Sequence, residues 1–224
     1  MTLAADRPGT MTDSRAHLAL APFLDLLNHS DTAEVETRVD RATLAFEIVA
    51  NAPVASGSEA LIFYGPHDNG FLLVEYGFVL PNNRFSSVLV GEALLAALGG
   101  KGQDRLAVLS DAGIAVSEIR CGADELDWSL LIVLRILALD RATWQTNEAL
   151  WRKLLHGEID SFDEATERRA RRFLRDIAEA QAAIFSSALS TDILHDTRAA
   201  AVQVVRDQHA HVWSAIAGHC NIDN

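Results

Sequence analysis

The chain has 224 residues, 49% of them hydrophobic and 22% charged, the balance of a folded globular protein with room for one large domain or two modest ones. Its net charge of −12, with no basic run, argues against direct nucleic-acid binding and suits a basic peptide partner. Two cysteines offer no disulfide framework or paired zinc spacing, no signal peptide opens the chain, and the longest apolar run, 130–139, is broken by Arg135 and too short to span a membrane; the expectation is a soluble intracellular protein of the cytosol and/or nucleus.

Residues 1–17 mix Pro, Gly, Thr and charges without periodicity and read as a loose lead-in. Residues 18–27 are apolar around Pro22 and Asp25, which predicts a buried strand or a short helical turn. Partial alternation over 35–50 (Val39, Leu44, Phe46, Ile48) predicts a hairpin turning near 40–43. Residues 53–59 are turn chemistry, and 60–64 read as a short buried strand. Over 69–76, Phe71, Leu72 and Glu75 have helical spacing, and Pro81-Asn82-Asn83 ends that block.

The character changes after about Arg84. One more strand is expected over 86–90, followed by a flexible break at 99–102. Residues 104–111 read as a helix stopped by Gly113. The stretch 128–140 is apolar nearly all round, as in a helix buried on most faces. Ser161 with Glu164 forms a capping box for a helix carrying Phe173, Leu174, Ile177, Ile184 and Phe185 on one stripe. A last helix is predicted over 193–217, with Ala201, Val205, Val212 and Ile216 inside and Gly218 closing it. The fold class is therefore α+β: a strand-rich N-terminal third joined to an all-helical remainder, with no internal repeat.

Two stretches organise this chain: 21–30 (APFLDLLNHS) and 61–81 (LIFYGPHDNGFLLVEYGFVLP). Each sets amide, imidazole or phenol groups inside apolar runs, where a core that only packed would have none, because every buried polar group needs a partner. The order NHS, then a turn with Gly57-x-Glu59, then YGPHDN and EYGFV resembles the C-terminal half of SET domains. It is most similar to the class typified by the Rubisco large-subunit methyltransferase, in which a SET domain is followed by an all-α substrate-binding domain, so a partial SET β-fold followed by that helical domain is expected here. The resemblance divides the chain into 1–17, a SET part at 18–83 and a helical domain at 84–224.

The resemblance also implies roles. Asn28 and His29 match the pair that holds S-adenosylmethionine, largely through the backbone and the Asn28 amide. Tyr64 matches the catalytic tyrosine, whose hydroxyl lies where the methyl passes from sulfur to nitrogen, and whose ring borders the cofactor. Tyr76 matches the second active-site tyrosine and Phe78 an aromatic near the cofactor. The implied activity is S-adenosylmethionine-dependent protein-lysine N-methylation, with a histone or non-histone protein as partner and no metal. Transfer needs in-line approach and a neutral amine, so the amine's ordinary pKa of about 10.4 has to fall, which an apolar aromatic channel favours.

Only residues 1–18 precede ALAPF, and they hold Arg7-Pro8-Gly9 but no Gly-x-Gly, so an N-terminally truncated form is expected. The alternative is a non-catalytic protein-binding module with a vestigial SET portion. A third reading, methylation of a histidine, occurs in a related subgroup that looks to lack the tyrosine at Tyr76. Taken alone, His29 reads as a core or turn histidine and both tyrosines as ordinary aromatics; the motif set reverses that. His67-Asp68-Asn69 reads as turn chemistry, Arg168–Arg172 as a salt-bridged helix face with Glu164, Glu167 and Asp176, and His209, His211, His219 and Cys220 as a solvated helix face and not a metal site.

Overall fold

A computed structural model describes residues 21–187 and 197–221. The lead-in at 1–17, residues 18–20 and the expected helix start at Ile193 lie outside the described residues. The chain forms two compact units, divided between Pro66 and His67.

In the first unit, residues 22–26 make a tight turn in which the Asp25 N–H donates to the Ala21 carbonyl (2.9 Å) and the Ala21 N–H to Asp25 Oδ2 (3.1 Å). Strands β1 (Val35–Val39) and β2 (Phe46–Ala50) form the expected antiparallel hairpin, with Val35 opposite Ala50 and Val39 opposite Phe46. Asp40 organises its turn, accepting from the Ala42 N–H and the Thr43 hydroxyl; these bonds hold its carboxyl below the usual carboxylate range.

One expectation for this unit needs correction: residues 60–64 are half-exposed or exposed and make a single parallel bridge, Ile62 to His29, instead of a buried strand. Of the two readings of 18–27, the residues described from 21 onward take the turn and not the buried strand, with Phe23 (89% exposed) and Leu26 (76%) directed outward. An apolar run fixes no strand by itself; a ladder needs a neighbour along its length.

The second unit opens with α1 (Asn69–Tyr76). The Asp68 carboxylate caps it by accepting from the Phe71 N–H (3.0 Å), and Gly77, at φ 80°, closes it in the left-handed conformation. A short ribbon pairs β3 (Val88–Leu89) with β4 (Arg120–Cys121). Around it lie α2 (Val90–Leu98), α3 (Gln103–Asp111) and a 3₁₀ turn (Val116–Glu118). The remainder is helical: α4 (Trp128–Ala138), α5 (Arg141–Thr146), α6 (Glu148–Leu155), α7 (Glu164–Ser186) and α8 (Thr197–His219).

The α4 helix lies at the centre of the core, with Leu130, Ile132, Val133, Leu134 and Ile136 buried; its first residue, Trp128, is exposed. It packs against α7, which in turn lies along α8. On α7, Ala170, Leu174 and Ile177 are buried, whereas Ile184, in the last turns, runs past the core and is exposed, contrary to the expected stripe. The cap of α7 is Asp163 and not Ser161: its carboxylate accepts from both the Thr166 N–H (3.0 Å) and hydroxyl (2.7 Å). Two local bonds at Asp163 outcompete the single one that Ser161 offers. Val212 and Ile216 of α8 are buried, and Gly218 lies inside the helix instead of beyond it. Among the described residues no helix is long and apolar enough to cross a membrane.

Candidate functional site

The site begins at the parallel bridge of the first unit. Ile62 N–H donates to the Asn28 carbonyl (2.9 Å) and Ser30 N–H to the Ile62 carbonyl (3.0 Å), which clasps the NHS segment beside the segment that carries Tyr64. His29 is buried, and its Nδ1 accepts from the Tyr64 N–H (3.1 Å), so the neutral ring carries its proton on Nε2. The His29 ring stacks on the Tyr64 ring with centroids 5.0 Å apart. The Tyr64 hydroxyl donates to the Leu27 carbonyl (2.6 Å). Asn28 is tied to the glycine-x-glutamate turn: its Nδ2 donates to Glu59 Oε1 (2.5 Å). Asn28, His29 and Tyr64, far apart in sequence, are thus assembled in one place.

Tyr76 and Phe78 belong to the second unit. Tyr76 ends α1 and Phe78 follows the Gly77 cap; their ring centroids are 6.2 Å apart, and Phe71 lies 6.3 Å from Tyr76. The EYGF motif is therefore a helix end that groups three aromatic rings. A phenol half in solvent (Tyr76 is 49% exposed) beside apolar rings is a surface able to receive an aliphatic chain with a positive end.

A buried polar network in the same unit escaped the sequence reading. Asn69, 2% exposed, donates from Nδ2 to the Leu80 carbonyl (2.7 Å) and to Gln208 Oε1 (2.7 Å). Its Oδ1 accepts from the Leu80 N–H (2.9 Å) and from Asn83 Nδ2 (3.2 Å). Asn83 also donates to the His67 carbonyl (2.8 Å), and Gln208 of α8 to the carbonyls of Leu80 (3.0 Å) and Pro81 (3.1 Å). The network pins the loop after EYGF between α1 and α8. Asp68 serves it from outside, pairing with Arg120 as well as capping α1. His67-Asp68-Asn69 is thus more than turn chemistry: Asp68 caps, while Asn69 is a core hub. Asn83, which in sequence only ends an apolar block, is the second buried amide of this network.

The charged groups elsewhere act mainly in structure. Arg168 pairs with Glu164 one turn away, as expected for that face, but Glu167 instead binds Arg135 of α4 (2.9 Å), with both side chains largely buried. His209 is half-buried against the edge of Phe185, and burial pulls its imidazole below the usual range. His219 bonds through Nε2 to the Ala123 carbonyl (2.8 Å). The expected solvated histidine face is thus partly packed. Among the described residues no group of three His, Cys, Asp or Glu side chains is placed to hold a metal ion.

Comparison with known proteins bears on this architecture. The family described as Rubisco LSMT substrate-binding matches residues 102–213. The chain belongs to that family. The matched span is the helical part, which the sequence had tied to the family only by its helical character. SET domain-containing protein 4 of Mus musculus is 36% identical over 147 residues, a match taking in 64% of this chain and 32% of the mouse protein. The actin-histidine N-methyltransferase of Drosophila melanogaster is 27% identical over 173 residues, 75% of this chain and 32% of the fly protein. Among solved structures, Rubisco LSMT bound to AdoMet is similar with a TM-score of 0.63 at 22% identity, over 93% of this chain and 51% of that one. The SET domain of LSMT bound to lysine and AdoHcy is similar with a TM-score of 0.62 at 22% identity, over 91% and 50%. The chain therefore spans about half the length of these structures and about a third of the curated relatives. Its fold is that of the SET/Rubisco-LSMT methyltransferases: a short β region followed by a helical substrate-binding region.

Proposed function

We propose that this chain supplies the C-terminal part of a SET cleft, residues 18–83, and the attached substrate-binding domain, residues 84–224, of an S-adenosylmethionine-dependent protein-lysine N-methyltransferase. The observation that carries the reading is the joining of NHS to Tyr64, where the phenol oxygen and the Leu27 carbonyl oxygen lie 2.6 Å apart. Two oxygens beside a buried imidazole form an acceptor set matched to an electron-poor methyl group, so the residues fit the cofactor.

Asn28 and His29 would hold it, the latter fixed in place by its bond from the Tyr64 N–H. When bound, S-adenosylmethionine supplies an electrophilic methyl on a cationic sulfur. The Tyr64 hydroxyl gives its proton to the Leu27 carbonyl, so its oxygen would meet an incoming amine or positive charge as an acceptor. Tyr76 and Phe78 offer ring surface that desolvates a lysine side chain and so favours its neutral, nucleophilic form. The partner is a protein presenting a lysine, histone or non-histone, docked on the helical domain. The free cysteines Cys121 and Cys220 support a reducing compartment, cytosol and/or nucleus.

The test is a calorimetric titration of the folded chain with S-adenosylmethionine, with Asn28→Ala as control. Micromolar binding that disappears in the variant is expected. Methyl transfer to protein extracts then follows, with product analysis separating methyl-lysine from methyl-histidine, the outcome to which the fly relative points. No heat from the folded wild type would favour the non-catalytic binding module instead.

A further inference from the structure

A cleft of about 470 Å³ in the helical unit is lined by Lys101, Arg105, Arg141 and Trp144, together with Asp104 and Leu137. The chain is acidic, with 31 Asp and Glu against 19 Lys and Arg, and Arg38, Arg120, Arg135, Arg152 and Arg168 are each engaged by a carboxylate. Lys101, Arg105 and Arg141 make no ion pair among the described residues.

The floor of the cleft is fixed. Arg105 donates through Nη1 to the carbonyls of Ile136 (3.2 Å) and Leu137 (2.5 Å) at the end of α4, which leaves the hydrogens on Nε and Nη2 as donors. Its guanidinium carbon lies 5.3 Å from the Trp144 ring centroid. The indole is held by its Nε1–H, which donates to Asp104 Oδ2 (2.5 Å), and by stacking on Trp151 with centroids 4.7 Å apart. The nearby carboxylates are occupied: Asp104 by that indole, and Asp140 by the Thr143 N–H (2.9 Å) and hydroxyl (2.6 Å). Lys101, Arg105 and Arg141 thus line one cleft without an ion pair among the described residues, and the two carboxylates that act on Arg105, Asp104 and Asp140, are each already hydrogen-bonded.

We propose that this cleft binds an organic phosphate, its phosphoryl oxygens taken by Arg141, Lys101 and the open edge of Arg105, and its organic body lying on the apolar lining of Leu98 and Leu137 beside Trp144. A group with nearly two negative charges and three acceptor oxygens suits three cations better than a carboxylate does. The cleft is of ligand size and much larger than a bare ion. The phosphate belongs either to a small molecule or to a phosphorylated side chain of a docked polypeptide. The assignment is independent of methyl transfer.

The test uses the full chain with ¹⁵N-labelled tryptophan, the Trp144 indole resonance being identified by its loss in Trp144→Phe. Phenyl phosphate, inorganic phosphate and a phosphotyrosine peptide are titrated in turn. Phenyl phosphate is expected to saturate the Trp144 shift with a Kd below about 1 mM. Arg141→Glu and Lys101→Glu, both at exposed side chains, should each weaken it by about tenfold or more, and inorganic phosphate should bind about tenfold more weakly. A peptide tighter than phenyl phosphate assigns the site to a polypeptide, and a weaker one assigns it to a small molecule. Absence of saturation by about 10 mM, an affinity unchanged in folded Arg141→Glu, or inorganic phosphate binding as tightly as phenyl phosphate would overturn the proposal.

Discussion

Asn69→Ala should cost far more stability than its place in an eight-residue helix predicts. The side chain is buried and makes four hydrogen bonds. Two partners survive its loss with other bonds: the Leu80 carbonyl keeps Gln208 Nε2 at 3.0 Å, and Asn83 Nδ2 keeps the His67 carbonyl at 2.8 Å. The Leu80 N–H and Gln208 Oε1 lose the bonds shown for them. A buried group left unsatisfied costs about 1–3 kcal/mol, so the expected loss is about 2–4 kcal/mol, a large share of a typical domain's 5–15 kcal/mol. Asn69→Asp is the sharper probe, because it keeps the acceptor but turns a carboxylate oxygen toward the Leu80 carbonyl and Gln208 Oε1, where Nδ2 donated at 2.7 Å. That carboxyl would be pushed upward by burial and by its oxygen neighbours. The variant should therefore recover stability as pH falls and the group protonates to become a donor. Urea titration at several pH values measures both effects. A loss below about 1 kcal/mol for Asn69→Ala, or no recovery of Asn69→Asp in acid, would refute the role assigned to the network.

Two further outcomes follow from packing. Burial pushes the Cys220 thiol up to about 11, above the ordinary value of about 8.5. The folded state then retains a proton that the unfolded chain releases, so stability present below about pH 8.5 is lost as pH rises toward 11, by up to about 2–3 kcal/mol. The slope should flatten in Cys220→Ala, and an equal slope in both would refute it. Gly91→Ala should destabilise by about 2 kcal/mol or more, because its Cβ would sit 1.7 Å from the backbone oxygen of Val116. Gly99→Ala, where φ is 57° but no atom lies within 4 Å, should cost only about 1 kcal/mol, and thermal melts of the two would compare them.

What the sequence made legible were features in which one local rule had no competitor. Alternation over 35–50 located the hairpin, and the spacing of Phe71, Leu72 and Glu75 located α1, because Asp68 and Gly77 cap it at the two ends. Where two local signals competed, the nearer and stronger one prevailed: Asp163 caps α7 although Ser161 and Glu164 have the right spacing. Where a feature depended on a distant partner, periodicity failed. Residues 60–64 are apolar enough for a strand, yet only Ile62 finds a ladder partner.

The candidate site shows the same division. Nothing in local pattern says that the Tyr64 N–H should meet His29 Nδ1, thirty-five positions away; the motifs singled out both residues but not the bond between them. Asn69 and Gln208 are 139 positions apart and belong to no motif pair that the reading used, so their bond was invisible. Yet the two constellations obey one physical rule. In each, a polar side chain enters an apolar stretch and spends its hydrogen-bonding capacity on main-chain groups of a remote segment: His29 on the Tyr64 N–H, and Asn69 on the Leu80 carbonyl and N–H. Such a bond fixes register as well as position, because shifting either segment by one residue strands a buried donor or acceptor. The amide and imidazole groups that first singled out 21–30 and 61–81 are therefore required for geometry before any chemistry is assigned to them. A variant at His29 or Asn69 must be shown to keep its fold before any loss of function is read as catalytic.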